Sequence, residues 1–174
     1  MAIYEFEGKK PDISDSSYIA KTATVIGDVT IGEDCYIAPG ARIKGDYGKI
    51  RIGEYTNVQE NCVIHARPGK ITRIGDWVTV GHGAIIHGGK VDEYAVIGMG
   101  AIVSDEAKIG RWSVVGEGAV VKSGQEIKDE EVAVGIPSKV IKKISEGYKK
   151  EWIEIKKEYV SFSKRYKEDL KRID

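Results

Sequence analysis

From Ile19 onward an aliphatic residue falls at every sixth position: Ile19, Val25, Ile31, Ile37 and Ile43. The period resumes at Ile52, Val58 and Ile64, and again at Ile74, Val80 and Ile86. It then runs from Val91 through Ile97, Val103, Ile109, Val115 and Val121 to Ile127. Of these eighteen anchors, seven are followed directly by glycine and thirteen carry a small residue four positions on. A helix needs apolar recurrence near 3.6 and a long half-buried strand needs alternation, so neither fits. A large inward residue and a small one every six positions fits very short strands joined by tight corners, with glycine relieving backbone strain there. Three such strands close a triangular coil, and coils stack at the inter-strand spacing of about 4.8 Å. Eighteen anchors make six coils, and no interval between them can hold a crossover helix.

The irregularities carry more information than the repeat. Let Ile43, Ile64 and Ile86 define face one; Ile52, Ile74 and Val91 then lie on face two, and Val58 and Val80 on face three. The spacing breaks three times: three extra residues after Ile43, four after Ile64, and one missing after Ile86. Every break follows face one, so one edge of the prism is loosened in consecutive coils, as expected of a built pocket. The ends differ. Residues 1–18 are expected to cover the open first coil of a solenoid domain spanning 1–137. Over 138–174, Ile144, Tyr148, Trp152, Ile155, Tyr159, Phe162, Tyr166, Leu170 and Ile173 recur at three- and four-residue steps. That is an amphipathic helix with Ser145 as N-cap, packed on a prism face or a neighbouring subunit.

Composition narrows the function classes. Lys+Arg 27 balance Asp+Glu 27, so no global field draws the chain to nucleic acid or anionic membrane. No apolar run approaches the roughly twenty residues of a bilayer span. The start, MAIYEFEGKK, lacks a signal-peptide layout. Cys35 and Cys62 make no disulfide framework and occupy small inward positions, so they read as core. A cytoplasmic protein in a reducing compartment is expected.

The three histidines, His65, His82 and His87, lie within one short stretch. His65 directly follows Ile64 and His87 directly follows Ile86, one coil apart on face one, so both point outward in one column, with Lys44 extending it. That suits two imidazoles on one ion. His82 lies two residues past Val80, near a different edge, and does not reach the column of its own chain. A shared site therefore needs the third histidine from a neighbour, which implies a homotrimer. Three neutral imidazoles with an open position match a catalytic rather than a structural site. Such a metal lowers the pKa of bound water toward neutrality, giving a hydroxide able to attack a small electrophile such as carbon dioxide. Gln59 is placed to orient that hydroxide, and Lys44 and Asp46 to form an ion pair lining the pocket. Zinc fits this ligand set; iron and cobalt fit as well.

The segments I-K-G-D (43–46), N-V-Q-E-N (57–61), I-H (64–65) and G-H-G-A-I-I-H-G (81–88), with hexapeptides and a C-terminal helix, resemble the γ-class carbonic anhydrases. The resemblance implies an all-β, left-handed parallel β-helix, a trimer with metal between subunits, and exchange of carbon dioxide and bicarbonate. It implies metal ligation by His65, His82 and His87, and hydroxide orientation by Gln59. It also implies a pocket role for Asn57, an inter-subunit role for Asp46, and a site-lining role for Tyr159. Lys44 stands where the family has arginine, which removes a bidentate fork. The corner His65–Lys70 is short and basic where the family carries an acidic proton-shuttle loop, and Tyr47 stands where another glutamate is expected. A carbonate dehydratase of low turnover follows, with a hexapeptide acyl- or acetyl-CoA transferase, a thioesterase-like protein or a non-catalytic metal-binding trimer as the alternatives.

Overall fold

The computed structural model describes residues 2–174 as a β-solenoid of about seven turns flanked by one helix. Each face is a parallel ladder of anchors. Face one stacks Val25, Ile43, Ile64, Ile86, Val103 and Val121 in register. Face two stacks Ile31, Ile52, Ile74, Val91, Ile109 and Ile127. Face three stacks Ile19, Ile37, Val58, Val80, Ile97, Val115 and Ala133. Most of these side chains are fully buried and form one continuous apolar core along the axis.

The coil count is seven rather than six. Ile3 pairs with Val25, Ile13 with Ile31, and Ala133 with Val115. Ala133 is too small to register as an aliphatic anchor, and a turn closed between Phe6 and Lys9 separates Ile3 from Ile13. Residues 1–18, expected as a cover, thus lay two parallel strands, Ala2–Tyr4 and Asp12–Ile13, on the next coil.

The corner glycines also act differently from expectation. Gly53 and Gly110 have ordinary negative φ; a Cβ on Gly110 would sit 2.5 Å from the backbone N of Asp129 in the next coil. Their role is close stacking of backbones. Positive φ falls on other corner glycines, such as Gly40, Gly83, Gly100 and Gly118, and, at the edge after face two, on large residues: Tyr55, Trp77, Tyr94 and Trp112, at 57–62°. These rings stack in a ladder with centroid spacings of 4.6, 6.2 and 4.7 Å. Each strained residue costs about 1–3 kcal/mol, offset in part by about 0.5–1.5 kcal/mol per stacked pair.

The first irregular corner is a bulge inside one long strand, Arg42–Ile52, opposite Thr24–Ile31. Pairing slips after Gly27, so Asp46 and Tyr47 are thrown outward. The second is the corner Ala66–Lys70, which carries Arg67 outward.

After the last coil, Lys139–Lys143 turns back antiparallel to Glu131–Val134, so the helix begins later than residue 138. Helix α1 is Glu146–Asp169, and Ser145 caps it by accepting from the Tyr148 N–H at 3.2 Å. Leu170 and Ile173 lie beyond it, exposed. At about 36 Å, α1 is long enough to cover all the coils of face three. Tyr159, Phe162 and Tyr166 pack on Tyr18 and Tyr36 of this same chain. The apolar stripe misses one residue: Lys156 is fully buried under the helix, while neighbouring Ile155 is 36% exposed. Lys156 Nζ donates to Thr79 Oγ1 at 3.2 Å and to the Ala95 carbonyl at 3.3 Å, and lies 5.6 Å from the Trp152 ring.

Burial pushes the Lys156 ammonium down from the ordinary 10.5 to about 7. Between these values the unfolded chain binds a proton that the folded chain has released, so stability rises with pH across that window. Chemical denaturation from roughly pH 7.5 to 9.5 should show wild type gaining stability relative to Lys156→Met by about 1.4 kcal/mol per pH unit. Parallel pH profiles would mean that the amine stays charged in the fold.

Candidate metal centre

Strand pairing sets the outward column directly. Lys44 is in register with His65, and His65 with His87. His65 Nδ1 and His87 Nε2 face each other at 3.2 Å. The opposite nitrogens are held by carboxylates: His65 Nε2 lies 2.9 Å from Asp46 Oδ1, and His87 Nδ1 lies 3.0 Å from Asp105 Oδ1. A carboxylate accepts, so each of these ring nitrogens donates its proton to the carboxylate. In the neutral rings that ligate a metal, the two nitrogens that face each other are the ones left with lone pairs. Two ligands bound at about 2.05 Å to a tetrahedral zinc sit about 3.3 Å apart. The donor set therefore fits two ligands of a zinc-like ion.

The carboxylates are fixed as anions. Partial burial works against ionisation of Asp46, but hydrogen bonds from Lys44 and His65 overcome it and hold the carboxyl at about 2. Lys44 Nζ is 2.9 Å from Asp46. Arg67 donates to Asp105 Oδ2 through Nε at 3.0 Å and through its terminal nitrogen at 2.7 Å, and holds that carboxyl below the usual range. The basic corner after His65 thus supplies the clamp on His87's carboxylate. Sequence reasoning missed Asp105, which follows His87 by eighteen residues and lies one position past its register equivalent, Ser104, in the shortened coil. Tyr47, 65% exposed, stacks on the His65 ring with centroids 6.1 Å apart. Along the loosened edge runs a groove of about 530 Å³, lined by Arg67, Lys70, Arg73, Lys90 and Lys108 against Asp105 and Glu106.

His82 belongs to a second group. Its Nδ1 lies 2.6 Å from Glu60 Oε2, and its backbone N–H donates to Gln59 Oε1 at 3.2 Å. Gln59 Nε2 donates to Asn57 Oδ1 at 3.1 Å, and Asn57 Nδ2 to Thr79 Oγ1 at 2.9 Å. Asn57 is fully buried and Gln59 nearly so. Tyr159 lies on this side too, half-buried against Tyr36 and Phe162; burial first, then the Glu60 charge, raises its pKa. One chain therefore assembles Lys44, Asp46, His65 and His87 on one edge, and Asn57, Gln59, Glu60, His82 and Tyr159 on another. Among the described residues no three His, Cys, Asp or Glu side chains converge on a metal position. Cys35 and Cys62 are buried and unpaired, and burial pushes their thiols up to about 12 and about 11. No helix among the described residues is long and apolar enough to cross a membrane.

Comparison with known proteins agrees with the fold. The bacterial transferase hexapeptide family, described as six repeats, matches residues 10–45. A protein named carbonic anhydrase from Geobacillus kaustophilus is 41% identical over 95% of this chain and 91% of its own. One named "Probable carbonic anhydrase" from Methanocaldococcus jannaschii is 46% identical over 77% of this chain and 84% of its own. The crystal structure of a hexapeptide transferase family protein from Anaplasma phagocytophilum superposes with a TM-score of 0.90 at 32% identity, covering 95% of this chain and 98% of that one.

Asp105→Asn should release Arg67 and leave the His87 tautomer unset. Competition with a chromogenic chelator should then show zinc affinity about 10–100-fold weaker. Unchanged affinity would remove Asp105 from the centre.

Proposed function

Because this chain belongs to the γ-carbonic-anhydrase-like branch of the hexapeptide-repeat proteins, we propose that it catalyses the reversible hydration of carbon dioxide at a zinc ion shared between subunits of a homotrimer. The observation that carries this reading is that His65 Nδ1 and His87 Nε2 face each other at 3.2 Å while carboxylates take the opposite nitrogens. Two imidazoles set in this way call for a cation and one or more further ligands. His82 is the remaining imidazole; with Nδ1 turned to Glu60, its Nε2 is free to serve the pair on a neighbouring subunit. Zinc bound by three imidazoles supplies an open position at which the pKa of water falls toward neutrality.

The chain's own groups do the rest. Asp46 and Asp105 fix the His65 and His87 rings and raise their basicity. Lys44 stands in the column beside Asp46 and offers its charge to an anionic product. Gln59, held by Asn57 on one side and the His82 backbone on the other, keeps a hydrogen-bonding valence for orienting the small substrate. Asp46, Asp105 and Glu60 are each engaged with a histidine. Proton export is left to water or buffer, and turnover is accordingly slow. Acyl transfer, a reading open to a relative of a hexapeptide transferase family protein, needs only one histidine as general base and gives the opposed pair no purpose.

Purified trimer should carry about one zinc per subunit, lost to chelator, with stoichiometric absence on elemental analysis sinking the proposal. Mixing His65→Ala with His82→Ala protein and reassembling should regenerate about a quarter of the sites, since half the subunits keep each half-site. No recovery of bound metal would argue against a shared centre. Stopped-flow hydration of carbon dioxide by zinc-loaded protein should exceed background and rise with buffer concentration; no rate in any buffer would exclude the activity.

A further inference from the structure

The outward column of face three, covered by α1, is aromatic at Tyr18 and Tyr36 and aliphatic at Val96, Val114 and Val132. Between them, at Asn57 and Thr79, it is polar. An apolar pair there would pack against the helix without desolvating any polar group. Instead the helix buries Lys156 over this spot, with none of its surface exposed. Burying an amine is costly, and its hydrogen bonds only partly offset that. Packing alone gives no reason for the arrangement.

The hydrogen bonds give one. Four run in a single line: Lys156 to Thr79 Oγ1 at 3.2 Å, Asn57 Nδ2 to the same oxygen at 2.9 Å, Gln59 Nε2 to Asn57 Oδ1 at 3.1 Å, and the His82 N–H to Gln59 Oε1 at 3.2 Å. A carboxamide has two faces of similar shape and opposite polarity, so its orientation depends entirely on its partners. At the outer end the His82 N–H can only donate, and it demands the oxygen of Gln59. At the inner end Asn57 meets a hydroxyl, which by itself accepts or donates equally well; its other contact, the Val78 carbonyl at 3.5 Å, is long. Lys156 contacts the Thr79 oxygen and, through the Ala95 carbonyl, is itself anchored to the next coil. It thereby fixes where that oxygen lies, and with it the place of the Asn57 side chain that donates to it.

We propose that Lys156 is a positioning residue: acting through Thr79 and Asn57, it holds the Gln59 carboxamide in place beside His82. The helix then has a function beyond covering face three, because it reaches the half-site from behind. The kinetic part of this inference rests on the carbon dioxide reading above; the placement of Gln59 does not.

The chain has only two glutamines, Gln59 and Gln125. Protein labelled with side-chain 15N-glutamine therefore has two amide pairs, with Gln125 as internal reference. Wild type should give one sharp, dispersed Gln59 pair. In Lys156→Met, and equally in Thr79→Val, that pair should broaden or double while Gln125 stays fixed; Thr79→Ser, which keeps the hydroxyl, should restore it. Zinc content should not change, and kcat for carbon dioxide hydration should fall about tenfold with KM unaltered. A purely structural anchor would lower the melting temperature and leave the Gln59 pair as in wild type. That result, in both Lys156→Met and Thr79→Val, overturns the proposal. Should Lys156→Met fail to fold, Thr79→Val carries the same test from the solenoid side. If wild type hydrates no carbon dioxide, the activity assignment falls while the amide spectra still decide the role of Lys156.

Discussion

Everything in this molecule depends on coils stacking at the spacing of paired strands. At about 4.8 Å per coil, whatever stands at one position of a face is met by its equivalent above and below. The same constraint that lines up the aliphatic anchors lines up everything attached to them. Ile64 above Ile86 makes a core, and His65 above His87 follows with no further design. Backbones this close leave no room for a Cβ at Gly53 or Gly110, so glycine is required by proximity. Where the chain departs from regular stacking, it does so along one edge, and the departures bring Asp46, Tyr47 and Arg67 to the histidine column.

Register alone makes two imidazoles neighbours; it does not say which nitrogens meet. The carboxylates decide that. Asp46 takes one ring by Nε2 and Asp105 takes the other by Nδ1, and the remaining nitrogens are brought together at 3.2 Å. Arg67 and Lys44 keep these carboxylates charged. The corner that looked poor in acidic groups is thus the source of the cation that steadies one of them. A site so arranged is strong in metal orientation and weak in free proton acceptors.

The helix adds a second polar layer. Its aromatic residues satisfy face three in the ordinary way, against Tyr18 and Tyr36. Lys156 breaks the pattern and joins the helix to the Thr79–Asn57–Gln59 line. Amphipathic periodicity assigns lysine to the solvent side, and nothing local distinguishes Lys156 from Lys157, which is exposed. Its burial follows from what lies opposite, a pair of polar residues three coils and more away along the chain.

The six-residue period by itself determined the solenoid, its faces, its inward residues and the stacked placement of His65 and His87, because a strict repeat converts sequence distance into spatial distance. It also separated His82 from that pair. The repeat went silent where its signal did: Ala133 is too small to read as an anchor, and Ile13 and Ile3 are set apart by a turn, so one coil was missed. Only the tertiary structure decided the partners of the histidines. Asp105 and Glu60 carry no motif, and which ring nitrogen each takes depends on side-chain geometry that a linear pattern does not encode. The tertiary structure likewise decided the fate of Lys156, since burial of a charged residue is set by the surface that covers it.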